Sequence, residues 1–386
     1  FVGTEFGVFF TLDGGENWVP LKSGLPTIAV RDIAIQEREN DLVLGTFGRG
    51  FYVLDNYSPL RELEYVLDQE AAFFTTKPGL LFRRANIGGT DYKGAQLYKA
   101  KNPEVGTTFE WYLAENAKRV KENRPEANNE LPHYPSLDQL QAEDWEEKPY
   151  LLFEISDSLG NPVARFTKSD SKGISRHTWD GRMSSKASIR TNGEPVTEAY
   201  GTTFVLPGTY FLSLSRATNG ALKTLVERHE FKVNHLYNYE GIDMEFNQSV
   251  DALMAVSNQI NAQYTELKED LNRLRAGLRN TPGASLEDLN TARSIDIELR
   301  ELGLLLKGDA TRTKREFEAG ASLGDVTGLL AWGTFNHRGA PTGSMRAMKE
   351  DAEAMIADAT AALEKIDEKL NQLEANAREQ GVPYWD

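Results

Sequence analysis

Five histidines are the residues best suited to acid–base or metal chemistry in this chain: His133, His177, His229, His235 and His337. No pair stands at the i, i+2 or i, i+4 spacing that lets two imidazoles on one strand or helix share an ion. No metal and no cofactor is therefore expected. His177 and His229 fall on two strands expected in one sandwich, which would let them approach each other. Cysteine is absent, which excludes a thiolate nucleophile, thiolate metal sites and a disulfide scaffold. The serine-rich run from Ser169 to Ser175 has no histidine and aspartate in triad order, and no G-x-S-x-G occurs. Glu143, Asp144, Glu146 and Glu147 gather in a stretch punctuated by Pro125, Pro132, Pro135 and Pro149. A polar, proline-flanked setting reads as solvated surface, not as an acid–base pair. No catalytic residue is assigned.

Binding chemistry has one candidate, Arg49, set between Gly48 and Gly50 at a turn joining two strands. A guanidinium on such a turn can meet a ligand or pair with a neighbouring element. Thr11-Leu12-Asp13-Gly14-Gly15-Glu16-Asn17-Trp18 is the most specific local signal. Asp13 can accept backbone N–H groups within the turn, a glycine supplies positive φ, and Trp18 is expected to pack on its sheet. Thr11, Asp13, Gly15 and Trp18 thus read as a structural motif. So do Trp179, Asp180 and Gly181, with Trp179 filling a core and Asp-Gly making the turn. Tyr210, after Pro207-Gly208, stands where a tyrosine corner would.

Three compositional zones must position these residues. Residues 1–75 read as short strands with turns between them. Gly3-Thr4-Glu5-Phe6-Gly7 and Gly45-Thr46-Phe47-Gly48 lie 42 residues apart, within the ~40–50-residue repeat of propeller blades. Residues 76–237 hold strand candidates such as Thr107–Leu113, Tyr150–Ile155 and Gly208–Ser215, which predict a β-sandwich. A polar insertion over 114–149 interrupts them. Residues 245–380 change to helical period. One stripe runs from Leu253 to Leu278, a second from Leu286 to Leu306 and a third from Met345 to Leu373. Ser285 is the expected N-cap of the second. An antiparallel three-helix bundle follows, with a short helix near Leu323–Trp332 in a glycine-rich link.

The balance of 43 Lys+Arg against 58 Asp+Glu gives a net charge of −15. That argues against nucleic acid as a partner. No apolar run is long enough to span a bilayer.

The Thr11–Trp18 segment matches the Asp-box, S/T-x-D-x-G-x-x-W. Together with the run from Asp41 to Leu63 it resembles the last blades of sortilin-type, bacterial-neuraminidase-repeat propellers. The Thr107–Leu113 segment, Thr178-Trp179-Asp180-Gly181-Arg182 and Leu206–Leu214 resemble the Ig-like domain that follows such propellers. Gly339-Ala340-Pro341-Thr342 before the last helix resembles the family's helical tail. The resemblance implies a multidomain β-plus-α fold: partial propeller blades, an Ig-like sandwich and the helical bundle, with further blades upstream. It implies a bacterial protein that is secreted, periplasmic or on the cell surface, and that meets a protein or glycan at its propeller face. The non-catalytic binding role is the expectation. The alternative is a glycoside hydrolase or peptidase whose catalytic groups lie on those further blades.

Overall fold

The computed structural model describes residues 1–22, 24–82, 102, 104–123, 135–184, 189, 203–236, 240–337 and 339–383. Pro125, Pro132 and His133 lie outside the described residues. The chain has mixed β and α content, with several small sheets followed by a helical carboxy-terminal region. It divides into two compact units: Phe1–Gly181 with Leu206–Leu236, and Arg182–Val205 with Tyr237–Asp386.

The first unit opens with two three-stranded antiparallel sheets. One joins β1 (Val2–Thr4), β2 (Gly7–Phe10) and β3 (Val19–Leu21); the other joins β4 (Val30–Gln36), β5 (Asp41–Thr46) and β6 (Phe51–Leu54). Alternation along β5 sends Leu42 and Leu44 to one face, where they share a core with Val8, Val30 and Tyr57. Two one-turn helices follow, α1 (Ser58–Arg61) and α2 (Leu63–Val66).

Two further sheets complete this unit. The larger has the order β11-β10-β13-β14-β8. Its strands are β8 (Gly79–Leu81), β10 (Tyr150–Ser156), β11 (Pro162–Ser169), β13 (Gly208–Thr218) and β14 (Ala221–His235). The smaller has the order β12-β9-β7, from β7 (Ala71–Phe73), β9 (Thr107–Leu113) and β12 (Gly173–Trp179). An aromatic layer joins the two sheets: the Trp111 ring lies 4.8 Å from Phe153, and Phe109 lies 4.8 Å from Phe231. Edge-to-face pairs of this kind add to the burial of large side chains. Within the insertion, α3 (Leu137–Asp144) starts in a capping box of Ser136 and Gln139.

The second unit is built on α4 (Met244–Asn280), α5 (Leu286–Lys307), α6 (Ala310–Thr313), α7 (Leu323–Asn336) and α8 (Gly343–Glu379). Ser285, Ser322 and Thr342 cap α5, α7 and α8 through their hydroxyls, each cap worth about 1 kcal/mol. The α4, α5 and α8 stripes close on Tyr264, Leu271, Leu274, Ile295, Leu299, Leu302, Leu363, Ile366 and Leu370. Gln380, after α8, accepts from Ser285 N–H at 2.8 Å. The end of α8 therefore meets the start of α5, and the two run antiparallel. The segment after β12 also belongs here: Thr203 donates from its backbone N–H to Asp251 Oδ2 at 2.6 Å, and Arg182 sits over the Phe204 and Phe335 rings at 5.1 and 5.3 Å.

Candidate binding face and structural motifs

The Asp13 loop is closed by its own side chains. Asp13 Oδ1 accepts the Asn17 backbone N–H at 3.0 Å and the Thr11 hydroxyl at 2.6 Å, while Asp13 Oδ2 accepts the Asn17 amide at 2.7 Å. The Asn17 backbone N–H, followed by the Thr11 hydroxyl and the Asn17 amide, holds the Asp13 carboxyl well below the usual carboxylate range. Thr11 Oγ1 also accepts Gly15 N–H at 2.9 Å. Gly14 and Gly15 have φ of 73° and 106°, conformations that side chains rarely adopt. Trp18 remains partly exposed. Its ring lies against its own loop, 3.6 Å from where a Gly15 β-carbon would stand.

A second loop repeats this arrangement. Asp157 Oδ1 accepts Asn161 N–H at 2.8 Å, and Asp157 Oδ2 accepts the Asn161 amide at 2.8 Å. In both loops the carboxylate caps the residue four positions on, so Asp and Asn at i, i+4 is the shared signal. Sequence reading missed the second because it lacks the tryptophan.

Trp179 is buried, 6.3 Å from Tyr210 and 6.0 Å from Phe231. Asp180 is exposed. Gly181 turns the chain with φ of 80° against Leu81. Tyr210 donates from its hydroxyl to the Leu206 carbonyl at 2.8 Å, the local bond of a tyrosine corner. Burial first, then the Asp157 charge, pushes its phenol up from the ordinary value.

His177 and His229, expected to approach each other, are instead held apart by phenyl rings. His229 lies 4.9 Å from Phe73, Phe73 6.2 Å from Phe153, Phe153 5.0 Å from Phe166, and Phe166 4.7 Å from His177. The two imidazoles thus end a row of three phenyl rings. Burial lowers both pKa values; Lys168 adds to this at His177. The Glu146 side chain, expected in a solvated run, is buried and accepts Val120 N–H at 3.0 Å. Among the described residues no group of three His, Cys, Asp or Glu could hold a metal ion. No helix there is long and apolar enough to cross a membrane.

Arg49 stands at an edge with a distinct surface. Val30 joins the first two sheets there: it pairs with Thr46 and lies 2.9 Å, through its carbonyl, from where a Gly3 β-carbon would stand. At the far end, the Phe1 ring meets Tyr57 edge to face at 5.4 Å, and the Tyr57 N–H bonds to the Asn40 carbonyl. Strand β1 therefore runs toward the Val30 end, and the β1–β2 and β5–β6 turns leave the sheets together. Phe6 and Phe47 lie in these turns and Phe51 opens β6; they are 75%, 70% and 80% exposed. Arg31 lies 5.5 Å over the Phe47 ring, within cation–π range. Arg49 is exposed between Gly48 and Gly50, whose φ values are 80° and 73°. Aromatic faces beside guanidinium groups can stack on sugar rings or anchor a protein hot spot.

No protein-family model, no curated protein and no solved structure matches this chain.

Proposed function

We propose that this chain is part of a secreted or cell-surface bacterial binding protein, built on a sortilin-type Asp-box propeller, and that it engages a protein or glycan at the Arg49 edge. In this reading the β1–β3 and β4–β6 sheets are propeller blades, the two larger sheets form an Ig-like domain, and the helices are the family's tail. The observation that carries the binding role is the exposure of Phe6, Phe47 and Phe51 on two hairpins, with Arg31 over the Phe47 ring and Arg49 exposed in the same turn as Phe47. Isolated exposed apolar residues are ordinary, but several large ones on adjoining hairpins mark contact surface. The Asp-box supports the family reading through its Thr11–Asp13–Asn17 loop, which is structural and leaves no carboxylate oxygen without a partner.

The test is direct binding of the purified chain to arrays of polysaccharides and bacterial surface proteins. Binding that falls about tenfold or more in Arg49→Ala and Phe47→Ala supports the assignment, since interface anchors cost more than ~1 kcal/mol when truncated. Wild-type binding that neither variant weakens, or no binding by the wild-type chain, overturns it.

A further inference from the structure

The outer edge of β7 offers backbone groups that the fold leaves unused, in a part of the first unit separate from the Arg49 edge. In an antiparallel pair, residues alternate between those that bond across the pair and those whose N–H and C=O face away. Phe74 N–H bonds to the Glu110 carbonyl, and Ala114 N–H bonds to the Glu70 carbonyl. Ala72 stands opposite Tyr112 in the same register. The β7–β9 ladder therefore uses Glu70, Ala72 and Phe74, and the N–H and C=O of Ala71 and Phe73 face outward. Among the described residues no strand pairs with that side of β7, and no hydrogen bond reaches those groups. The next outward donor, Thr75 N–H, is taken by Glu62 Oε2 at 2.9 Å. Natural sheets normally cover or charge such an edge. Buried backbone groups normally have partners, yet Ala71 and Phe73 are buried and carry unpaired ones.

Both residues line a cleft of about 680 Å³, within the ~300–1,000 Å³ of ligand sites. The β7 edge forms its floor. One wall holds Glu62, Tyr65, Val66 and Gln69, in and beside α2; the other holds Leu225, Val226, Glu227 and His229 of β14. Each wall thus has apolar surface and one carboxylate, and no lysine or arginine lines the cleft. The cations flanking these residues on β14 are engaged elsewhere. Lys223 Nζ lies 2.7 Å from Glu70, and Arg228 sits over the Phe211 ring at 3.5 Å.

We infer that this cleft takes an extended, basic segment of another protein, which adds a strand to the outer edge of β7. A row of N–H and C=O groups repeating at every second residue is matched by the backbone of an extended chain. Side chains of the added strand alternate between the two walls, where Glu62 and Glu227 select lysine or arginine. A second copy of this chain pairing β7 with β7 would bring these carboxylates against their own counterparts.

The test titrates short synthetic peptides into the full chain and follows fluorescence anisotropy. One alternates valine with lysine, a second has glutamate in place of lysine, and a third is the lysine peptide with alternate amides N-methylated. The lysine peptide should bind at least about tenfold tighter than either of the others, and more weakly as salt rises. Ala71→Pro removes an outward N–H that the ladder does not use. This variant and the Glu62→Gln/Glu227→Gln pair should each lose about tenfold while circular dichroism stays unchanged. No binding of the lysine peptide, equal binding of the three peptides, or binding unaffected by these substitutions overturns the proposal. So does sedimentation showing a dimer of the chain that Ala71→Pro dissolves, since that assigns the edge to a second copy.

Discussion

Asn56 Nδ2 donates to Glu110 Oε2 at 2.8 Å, across 54 residues of sequence. Asn56 is held in left-handed backbone with φ of 54°, and its N–H bonds to Asp41. Glu110 lies nearly buried on β9 and takes Arg176 Nε on its other oxygen at 2.8 Å. Arg176 donates onward to the Asp55 carbonyl. These residues fasten the β4–β6 sheet to the β7-β9-β12 sheet within one unit.

Replacing Glu110 by Ala leaves the Asn56 amide and the Arg176 guanidinium without this carboxylate. A cost of about 2 kcal/mol is expected, because a broken buried hydrogen bond to a charged group costs more than the bond's net worth. Glu110→Gln keeps an acceptor and should cost less. Urea unfolding of the two variants measures this, and equal midpoints for wild type and Glu110→Ala would contradict the role.

Some of this arrangement was legible in the sequence. The Asp13 loop is local, with donors and acceptor within four residues, so residue types alone predict it. The stripes of α4, α5 and α8 are legible because their period repeats for many turns. Glu110 was not. In Thr107–Leu113 it reads as one polar residue of a strand, and its partners Asn56 and Arg176 lie far away in sequence. The exposure of Phe6, Phe47 and Phe51 was not legible for another reason: it depends on which elements pack nearby, not on residue type. Leu286 and Val256 belong to the predicted stripes by spacing, yet both are exposed because each lies off the axis of its buried face.

Gly106 should tolerate no side chain. Its φ is 126°, and a β-carbon there would stand 1.9 Å from the Trp179 carbonyl oxygen. Backbone cannot retreat as a side-chain tip can. Gly106→Ala is expected to destabilise the first unit by about 3 kcal/mol or more, by strain and displacement of the Trp179 turn. A melting curve that matches wild type would refute the close approach.

The helical core should separate two leucines that the sequence treats alike. Leu363 is buried among Leu299, Ile366 and Leu370, whereas Leu267 is only partly buried. Leu363→Asp places a carboxylate in apolar surroundings and should cost about 3–5 kcal/mol. Leu267→Asp should cost distinctly less. Helical circular dichroism on heating checks the order, and a larger loss for Leu267→Asp would reverse the assigned inner face.

Stability should fall on mild acidification through His177 and His229. Both folded pKa values lie below the ordinary 6.5, with burial the leading cause. The unfolded chain therefore takes up protons first as pH drops. The contribution is complete above pH 6.5 and is lost as pH falls through the folded values. Melting temperature should hold steady from about pH 8 to near the ordinary imidazole value, then decline toward about pH 5. His177→Phe should flatten that decline; an identical slope in wild type and variant would exclude this imidazole as a source.

Binding at the Arg49 edge without turnover, as proposed, can be measured directly. The most direct measurement incubates the purified chain with the polysaccharide and protein panel, recording both capture and product release for wild type and for Arg49→Ala. The expected result is capture by wild type, capture weakened about tenfold or more in Arg49→Ala, and no product from either. Product release abolished by a single carboxylate substitution, or capture unaffected by Arg49→Ala, would contradict it.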